Sequence, residues 1–174
     1  MIRAHGQNKR YHHKYIGLNA RMDTLQAAVL NVKLKHYKED LELRQQVAEK
    51  YNKFFNSSDL TLNAYRLMLP YVKPDRTSAW AQYSVRLKVK DKGQKVDELR
   101  QKIQNLLKKA GIPTAIHYPM PLHLQECFEY LGYKRGDFPV AEKVSKEILS
   151  LPMNPYLSGS EIEYVNYVLE GVLK

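Results

Sequence analysis

A polar turn leads directly into a long segment of helical periodicity near the N-terminus. Gly17, Asn19 and Arg21 form this turn, and apolar residues recur with helical spacing from Met22 onward. Glycine lets the backbone approach a ligand closely, while a helix start and a guanidinium both attract negative charge. The residue types and their spacing therefore indicate an anion site. Many helices begin with such a turn, so an ordinary surface loop is the alternative.

The chain upstream of this turn is basic and aromatic. Between Arg10 and Arg21 it contains Tyr11, His12 and Tyr15, whose rings could line the same anion site. Basic residues interleaved with aromatic ones also occur in proteins that bind nucleic acid. A solvated surface loop explains the segment equally well.

A second segment of chemical interest is the turn from His117 to His123. It reads His-Tyr-Pro-Met-Pro-Leu-His. Two imidazoles and the phenol of Tyr118 on a proline-stiffened turn can hydrogen-bond a polyhydroxylated substrate or guard the mouth of a pocket. The alternative is a rigid connection between a strand and a helix, with the histidines capping backbone groups.

Other residue types used in catalysis lack a recognisable arrangement. The six histidines form no pair four residues apart with a nearby carboxylate, so we expect no metal site. The single cysteine, Cys127, has acidic and aromatic neighbours, and we expect it to be a buried small hydrophobe. The sequence contains no nucleophile elbow, phosphate loop or dinucleotide fingerprint.

One long helix must carry the polar turn. Asp23 and Gln26 are close to a capping box, and no glycine or proline follows until Pro70, which predicts a helix over about 23–54. Such a helix would be roughly 45–50 Å long. Its apolar positions cover a wide arc, so we expect the helix to be covered on two sides and to bridge to another domain or subunit.

The rest of the chain alternates short strands and helices. Residues 1–18 look irregular, and 81–89 alternate apolar and polar side chains as a strand with one solvated face does. We expect a turn at 91–93, a helix over 96–110 that ends at Gly111, a short strand over 114–118 and a helix over 122–131. Further helices would be capped by Asp137 and by a Ser160–Glu163 box, with 149–152 extended between them. This order predicts an α+β fold with a small sheet.

Composition limits the possible functions. The chain has 174 residues, 44% hydrophobic and 26% charged, as one globular domain with an appendage would have. It has no apolar stretch long enough for a signal peptide or a membrane span, and one cysteine fits a reducing compartment, so we expect a cytoplasmic protein. The formal charge is +10, but most lysines lie beside acidic residues on helices, so we expect neither a nucleic acid nor a membrane as partner.

Several motifs together resemble one family. The first part of the chain contains the ordered pattern His-Gly…Arg-Tyr-His-His…Gly-x-Asn-x-Arg-Met-Asp-x-Leu-Gln-Ala-Ala-x-Leu. This pattern resembles that of the DegT/DnrJ/EryC1/StrS sugar aminotransferases. Later segments agree in sequence and spacing, and they are 111–114, 117–119, 121–125, 136–142 and 149–153. The resemblance extends over nearly the whole chain.

The resemblance implies a pyridoxal-phosphate enzyme that moves an amino group, usually from glutamate, to a keto sugar on a nucleotide carrier. It implies the small C-terminal α+β domain of the type I pyridoxal-phosphate aminotransferase fold, with a linking helix and a small, mainly antiparallel sheet. The domains would be a lead-in loop (1–22), a long linking helix (23–55) and the small domain (56–174). The family's Schiff-base lysine lies upstream of the part that matches His5-Gly6, so no lysine here is assigned to catalysis.

Site residues follow from the same resemblance. Asn19 matches the asparagine that reaches the cofactor phosphate of the neighbouring subunit, which implies a homodimer. His117 and Tyr118 match a turn that closes over the sugar nucleotide, and His12, Tyr15 and Arg21 are further candidates for that pocket. The first residues most resemble members that act on UDP-linked keto sugars in surface-polysaccharide or glycan pathways. By this interpretation the 174 residues alone would be inactive.

Two other functions remain open. The chain could be a non-catalytic interaction module that binds an anionic partner through the segment from Arg10 to Arg21. It could also bind nucleic acid, which would require binding that weakens with salt.

Overall fold

A computed structural model describes residues 1–57, 65–89 and 95–173 of the chain. These residues divide into two compact units, 1–40 and 41–174, and helix α1 (Thr24–Ser57) passes from the first to the second. The turn predicted at 91–93 lies outside the described residues, as does the chain from 58 to 64. None of the described helices is both long and apolar enough to cross a bilayer.

The first unit contains a short hairpin where an irregular segment was expected. Strands β1 (Gln7–Lys9) and β2 (His12–His13) pair antiparallel, and Gly6 has a φ of +71° beside them. The backbone at Gly17 lies so close to Gly6 and His5 that an added Cβ would collide with both. Glycine at Gly17 is therefore required for this close approach.

Helix α1 starts where the sequence predicts. Asp23 accepts a hydrogen bond from the Leu25 N–H at 2.9 Å, and its own N–H donates to Gln26 Oε1 at 3.4 Å. These bonds satisfy backbone donors that a helix start leaves free. In the first unit the apolar side chains of α1, including Leu25 and Leu34, are exposed, so the predicted cover over this part of the helix stays a prediction.

A three-stranded antiparallel sheet forms the centre of the second unit. Its order is β3 (Tyr65–Met68), β4 (Tyr83–Val89) and β5 (Ile148–Leu151), with Val85 opposite Leu149. The odd-numbered side chains of β4 point into the core as predicted, and Tyr83, Val85 and Leu87 are fully buried.

The helices of the second unit cover this sheet. Helices α2 (Val96–Lys109) and α4 (Gly159–Leu173) bury Ile103 and Leu169 completely, and the last part of α1 buries Tyr51 and Phe55. Each fully buried aliphatic side chain contributes about 1.5–3 kcal/mol relative to exposure. Tyr51 Oη donates to Pro152 O at 3.1 Å, and burial raises its pKa well above the usual tyrosine range.

The other face of β4, which the sequence predicts to be solvated, is solvated only in part. Ser84 and Arg86 are only partly exposed, because Ser84 meets Ser150 on β5 and Arg86 pairs with Glu147 at the end of α3 (Pro139–Glu147). Polar residues that alternate along a strand indicate which face of the strand carries polar side chains. They do not reveal whether those side chains have polar partners within the fold.

Three local predictions need correction. Residues 114–118 do not form a strand, and only Ala115 bridges, to Ser150. Neighbouring prolines at 113, 119 and 121 lack the N–H groups that a longer ladder needs. Residues 122–131 form two 3₁₀-helices, Leu122–Leu124 and Glu126–Leu131, separated at Gln125 by an extended backbone. Cys127, in the second of these helices, is exposed rather than buried.

Two helix caps also differ from the prediction. Asp137 does not cap α3, because its carboxylate accepts the N–H of Lys134 at 2.7 Å, and Phe138 holds the cap position. At the start of α4, the capping box is Ser158–Glu161 and not Ser160–Glu163. Helix α2 ends as expected, with Gly111 at a φ of +76° just beyond it.

Candidate functional site

The turn that begins at His117 is held by two serines of the sheet. His117 Nδ1 lies 3.1 Å from Ser150 Oγ, and Ser150 Oγ lies 2.8 Å from Ser84 Oγ. Backbone bonds of 2.8 and 3.2 Å between Ala115 and Ser150 fix the chain just before the turn. This arrangement engages one imidazole nitrogen and leaves Nε2 of His117 for another partner.

A cavity of about 340 Å³ adjoins this turn. The polar side chains that line it are His117, Tyr118, Gln125 and Ser145, and the remaining lining is apolar. Apolar walls with a few polar groups are typical of small-molecule sites. The lining contains hydrogen-bonding groups of several kinds, so the cavity can bind hydroxyl and amide groups of a ligand. It contains no carboxylate, so it does not repel a ligand with negative charge.

One wall of the cavity belongs to α3, whose last residue is anchored by an ion pair. Glu147 is buried, and its Oε2 accepts hydrogen bonds from Arg86 Nε at 3.0 Å and Nη2 at 2.6 Å. Charge-assisted bonds of this length are strong and directional. The pair therefore fixes the end of α3 beside Ile148 and Ser145, which line the cavity.

His123 is held by neighbouring side chains of the fold and does not share the environment of His117. Its Nε2 lies 3.1 Å from Glu142 Oε1, and the ring of Phe138 packs 4.8 Å from its own. The same carboxylate oxygen accepts the Gly136 N–H at 2.7 Å. That backbone bond, together with His123, lowers the pKa of Glu142 below the usual glutamate range.

The predicted anion site lies in the first unit, and backbone hydrogen bonds position it. Leu18 exchanges bonds with Ile2 and His5 at 2.8 and 3.0 Å, and Asn19 forms a bridge with Ala4. These contacts hold the side chain of Asn19 in an exposed position. An exposed amide on a fixed backbone is a suitable neutral donor for a phosphate oxygen.

Arg21 lines a cavity that also contains two cations not predicted as site residues. This cavity, about 760 Å³, is lined by Arg3, Arg21 and Lys33 together with apolar residues of α1 such as Leu30. Its lining contains no acidic residue, so it attracts anions. Lys33 could have been found from helical spacing, since it follows Leu30 by three residues and Gln26 by seven.

The remaining predicted residues do not line this cavity. His12 pairs with Lys9 in the hairpin and is exposed, and Tyr15 is exposed with Lys14 Nζ 5.5 Å from its ring centroid. Asn19 is likewise absent from the lining. The structure therefore brings Arg21 together with Arg3 and Lys33, and it does not gather His12, Tyr15 and Asn19 around Arg21.

Within residues 1–57, 65–89 and 95–173, no three histidine, cysteine or acidic side chains lie close enough to hold a metal ion. The polar groups found near the two cavities are hydrogen-bond donors and cations, which suit organic anions and hydroxylated ligands.

Nearly the whole chain resembles known aminotransferases in sequence. A family model described as the DegT/DnrJ/EryC1/StrS aminotransferase family matches residues 1–170. The Pseudomonas aeruginosa protein named UDP-2-acetamido-2-deoxy-3-oxo-D-glucuronate aminotransferase is 38% identical over 164 residues, which are 94% of this chain and 40% of that protein. The chain thus spans about two fifths of the length of the curated relatives that it matches.

The chain also resembles solved structures of aminotransferases. S. venezuelae DesV superposes with a TM-score of 0.81 at 28% identity, over 100% of this chain and 43% of DesV. A DegT/DnrJ/EryC1/StrS aminotransferase from Brucella abortus gives 0.75 at 34% identity, over 96% and 40% of the two chains. The predicted mixed fold with a small antiparallel sheet is confirmed by these matches. The chain belongs to the DegT/DnrJ/EryC1/StrS aminotransferase family.

Proposed function

We propose that this chain is the C-terminal part of a sugar aminotransferase that transfers an amino group, from glutamate, to a nucleotide-linked keto sugar in surface-polysaccharide or glycan biosynthesis. The observation that carries the proposal is the match of residues 1–170 to the family model. Relatives are named for related reactions on UDP-linked and dTDP-linked sugars. We expect the enzyme to act in the cytoplasm as a homodimer.

Members of this family are pyridoxal-phosphate enzymes. The residues of the first unit fit one part of that cofactor, because Asn19 holds an exposed amide on a fixed backbone in a segment rich in cations. Asn19 would contact the phosphate group. When bound, the cofactor supplies the electron sink for amino transfer, and the protein supplies orientation and electrostatics.

His117 and Tyr118 would bind the sugar. Ser150 engages His117 Nδ1, so the imidazole presents Nε2 at a fixed angle, and the exposed phenol of Tyr118 can donate to or accept from a hydroxyl. The prolines that follow keep this turn rigid, which lowers the entropy lost on binding. Arg21, with Arg3 and Lys33, would attract the negative charge of the nucleotide carrier. His12 and Tyr15 are further candidates for the same ligand.

The 174 residues alone would have no transaminase activity, because no lysine in them matches the family's cofactor-binding context. The first test is to sequence the DNA upstream of Met1 and to measure the intact mass of the protein. A longer reading frame with a serine-x4-lysine stretch, and transaminase activity only in the longer protein, would support the proposal. Turnover by the 174 residues alone would contradict it.

Tyr118→Phe in the longer protein tests the sugar site directly. Loss of one hydroxyl should raise KM for the sugar nucleotide about 2–10-fold, as expected when one hydrogen bond is lost. Tyr130→Phe is a matched control, because Tyr130 is 80% exposed and does not line the cavity beside His117. Equal KM values for the two variants would remove Tyr118 from the proposed site.

A second candidate function rests on the cationic cavity of the first unit. The chain could be an interaction module that binds an anionic partner through Arg3, Arg21 and Lys33. A reading frame that truly starts at Met1, together with salt-sensitive binding of an acidic peptide that Arg21→Ala abolishes, would favour this function over catalysis.

A further inference from the structure

Helix α2 buries a charge. The side chain of Arg100 is buried, with 8% of its surface exposed, and burial lowers its pKa. Its Nη1 donates to the carbonyl oxygens of Ser145 at 2.5 Å and Ile148 at 3.5 Å, near the end of α3. Among the described residues, nothing accepts a hydrogen bond from its Nε.

This charge lacks a close anionic partner in the described part of the chain. Buried cations are normally paired with an anion, because removing an ion from water costs several kcal/mol. Asp97 on the same helix attracts Arg100, but its carboxylate is exposed and forms no described hydrogen bond with the guanidinium. Glu142 is engaged by His123 and by the Gly136 N–H.

A cavity of about 330 Å³ lies against Arg100. Two exposed cations, Arg135 and Lys146, also line it, and the acidic residues in its lining are Asp97 and Glu142. The remaining wall is formed by Ser145 and by the apolar residues Pro119, Met120, Pro121 and Leu124. The lining has three cations and two carboxylates, and the carboxylate of Glu142 already has two hydrogen-bond partners. The cavity therefore favours an anion.

We propose that this cavity binds a small anion whose phosphate or carboxylate group neutralises Arg100. Planar guanidinium groups suit both kinds of oxyanion, and Arg135 and Lys146 add charge at the entrance. The site is distinct from the cavity of His117 and Tyr118, although both are lined by residues 119–121 and by Ser145. It would bind its ligand whether or not the chain is part of an aminotransferase.

A purely structural role for Arg100 makes a different prediction. An arginine that only caps the carbonyl groups of Ser145 and Ile148 would stabilise the C-terminal end of α3 and would not respond to added anions. Anion binding at the Arg100 side chain therefore separates the two roles.

The experiment is a nuclear magnetic resonance titration of the ¹⁵N-labelled 174-residue chain with inorganic phosphate and, separately, with succinate. Chloride keeps the ionic strength constant. We expect the Nε–Hε signal of Arg100 to shift saturably with at least one of the two anions. If phosphate binds more tightly, the site recognises phosphate groups, and if succinate does, it recognises carboxylates; absence of a saturable shift with both overturns the proposal.

Variants decide whether the binding occurs in this cavity. Arg135→Ala/Lys146→Ala should weaken the apparent affinity about 3–30-fold, as expected from the loss of two partly exposed charges. Lys108→Ala/Lys109→Ala removes the same charge from exposed positions of α2 that do not line the cavity, and should leave the affinity within about 2-fold. Equal weakening by both pairs would overturn the proposal. Because the four positions are exposed, the fold tolerates both changes, and Arg100→Met is needed only as confirmation.

Discussion

Nδ1 of His117 lies 3.1 Å from the hydroxyl oxygen of Ser150, a residue that is 33 positions later in the chain and 4% exposed. The pairing of β5 with β4 places Ser150 opposite Ser84, whose hydroxyl oxygen is 2.8 Å away. A candidate ligand-binding imidazole is thus positioned by the central sheet rather than by its own turn. Side chains locked by packed neighbours lose little entropy when a ligand binds.

Replacing Ser150 by Ala should release His117. The variant leaves the imidazole and Ser84 without their shared partner, at a cost of about 1 kcal/mol in the free energy of unfolding. We expect the Nδ1 signal of His117 to shift in long-range ¹H–¹⁵N spectra. Thr77→Ala, at an exposed position, is the control and should leave that signal unchanged. An unaltered Nδ1 signal in Ser150→Ala would show that the hydroxyl does not position the ring.

Glu142 should make stability depend on pH in the acidic range. Its pKa is lowered first by the Gly136 N–H and then by His123, so the folded state binds its proton more weakly than the unfolded state does. The stabilisation is present above the ordinary glutamate pKa and disappears as the pH falls through the lowered one. Glu142→Gln should therefore be less stable than the parent near neutral pH, and the difference should shrink in acid.

Urea unfolding followed by circular dichroism at several pH values measures this difference. Glu163→Gln is the matched control, because Glu163 is an exposed residue of α4. A difference for Glu142→Gln that stays constant from neutral pH to pH values below the glutamate range would contradict the assignment.

Two glycine-to-alanine changes should have opposite effects. At Gly17 a methyl group would collide with the backbone of Gly6 and His5, so Gly17→Ala should destabilise the first unit by about 1–3 kcal/mol. At Gly171, within α4, a methyl group meets no atom within 4 Å, so Gly171→Ala should stabilise the helix by up to about 1 kcal/mol.

Amide hydrogen exchange distinguishes these two effects. In Gly17→Ala, the amides of His5, Leu18 and Ala20, which donate to backbone carbonyls of the first unit, should exchange faster. In Gly171→Ala, the amides of α4 should exchange more slowly. Unchanged exchange of His5 and Leu18 in Gly17→Ala would mean that the turn can relax around the added methyl group.

The capping box of α4 provides a further test. Ser158 accepts the Glu161 N–H at 3.2 Å and donates its own N–H to Glu161 at 2.8 Å. Ser158→Ala should lower the free energy of unfolding by about 1 kcal/mol, whereas Ser160→Ala should change it by less than about 0.5 kcal/mol. Chemical denaturation of the two variants gives both numbers, and a larger loss at Ser160 would restore the box expected from the sequence.

Elements with strong local signals could be predicted from the sequence. The start of α1 at Asp23, the inward side chains of β4 and the end of α2 before Gly111 follow from side-chain spacing and from glycine alone. The cap of α4 lies two residues before the predicted one, because Ser158 and Ser160 both precede a glutamate by three residues and spacing cannot choose between them.

Features that depend on tertiary contacts could not be predicted. The residue type of His117 predicts a site residue, but its neighbours Ser150 and Ser84 come from strands that the antiparallel pairing brings together. Arg100 lies among polar neighbours in the sequence, and its burial arises only because the end of α3 packs against α2. Residues 114–118 have strand-like composition, yet the surrounding prolines limit them to one bridge.

Trp80 gives the protein an internal optical reporter. It is the single tryptophan of the sequence, it is 7% exposed, and its indole N–H donates to Gln45 at 2.8 Å while its ring lies 5.7 Å from that of Tyr83. All these contacts belong to the second unit. Loss of packing there should move its fluorescence emission to longer wavelength, whereas a change confined to residues 1–40 should leave the emission unaltered. Unfolding of the second unit can therefore be followed by itself without a label.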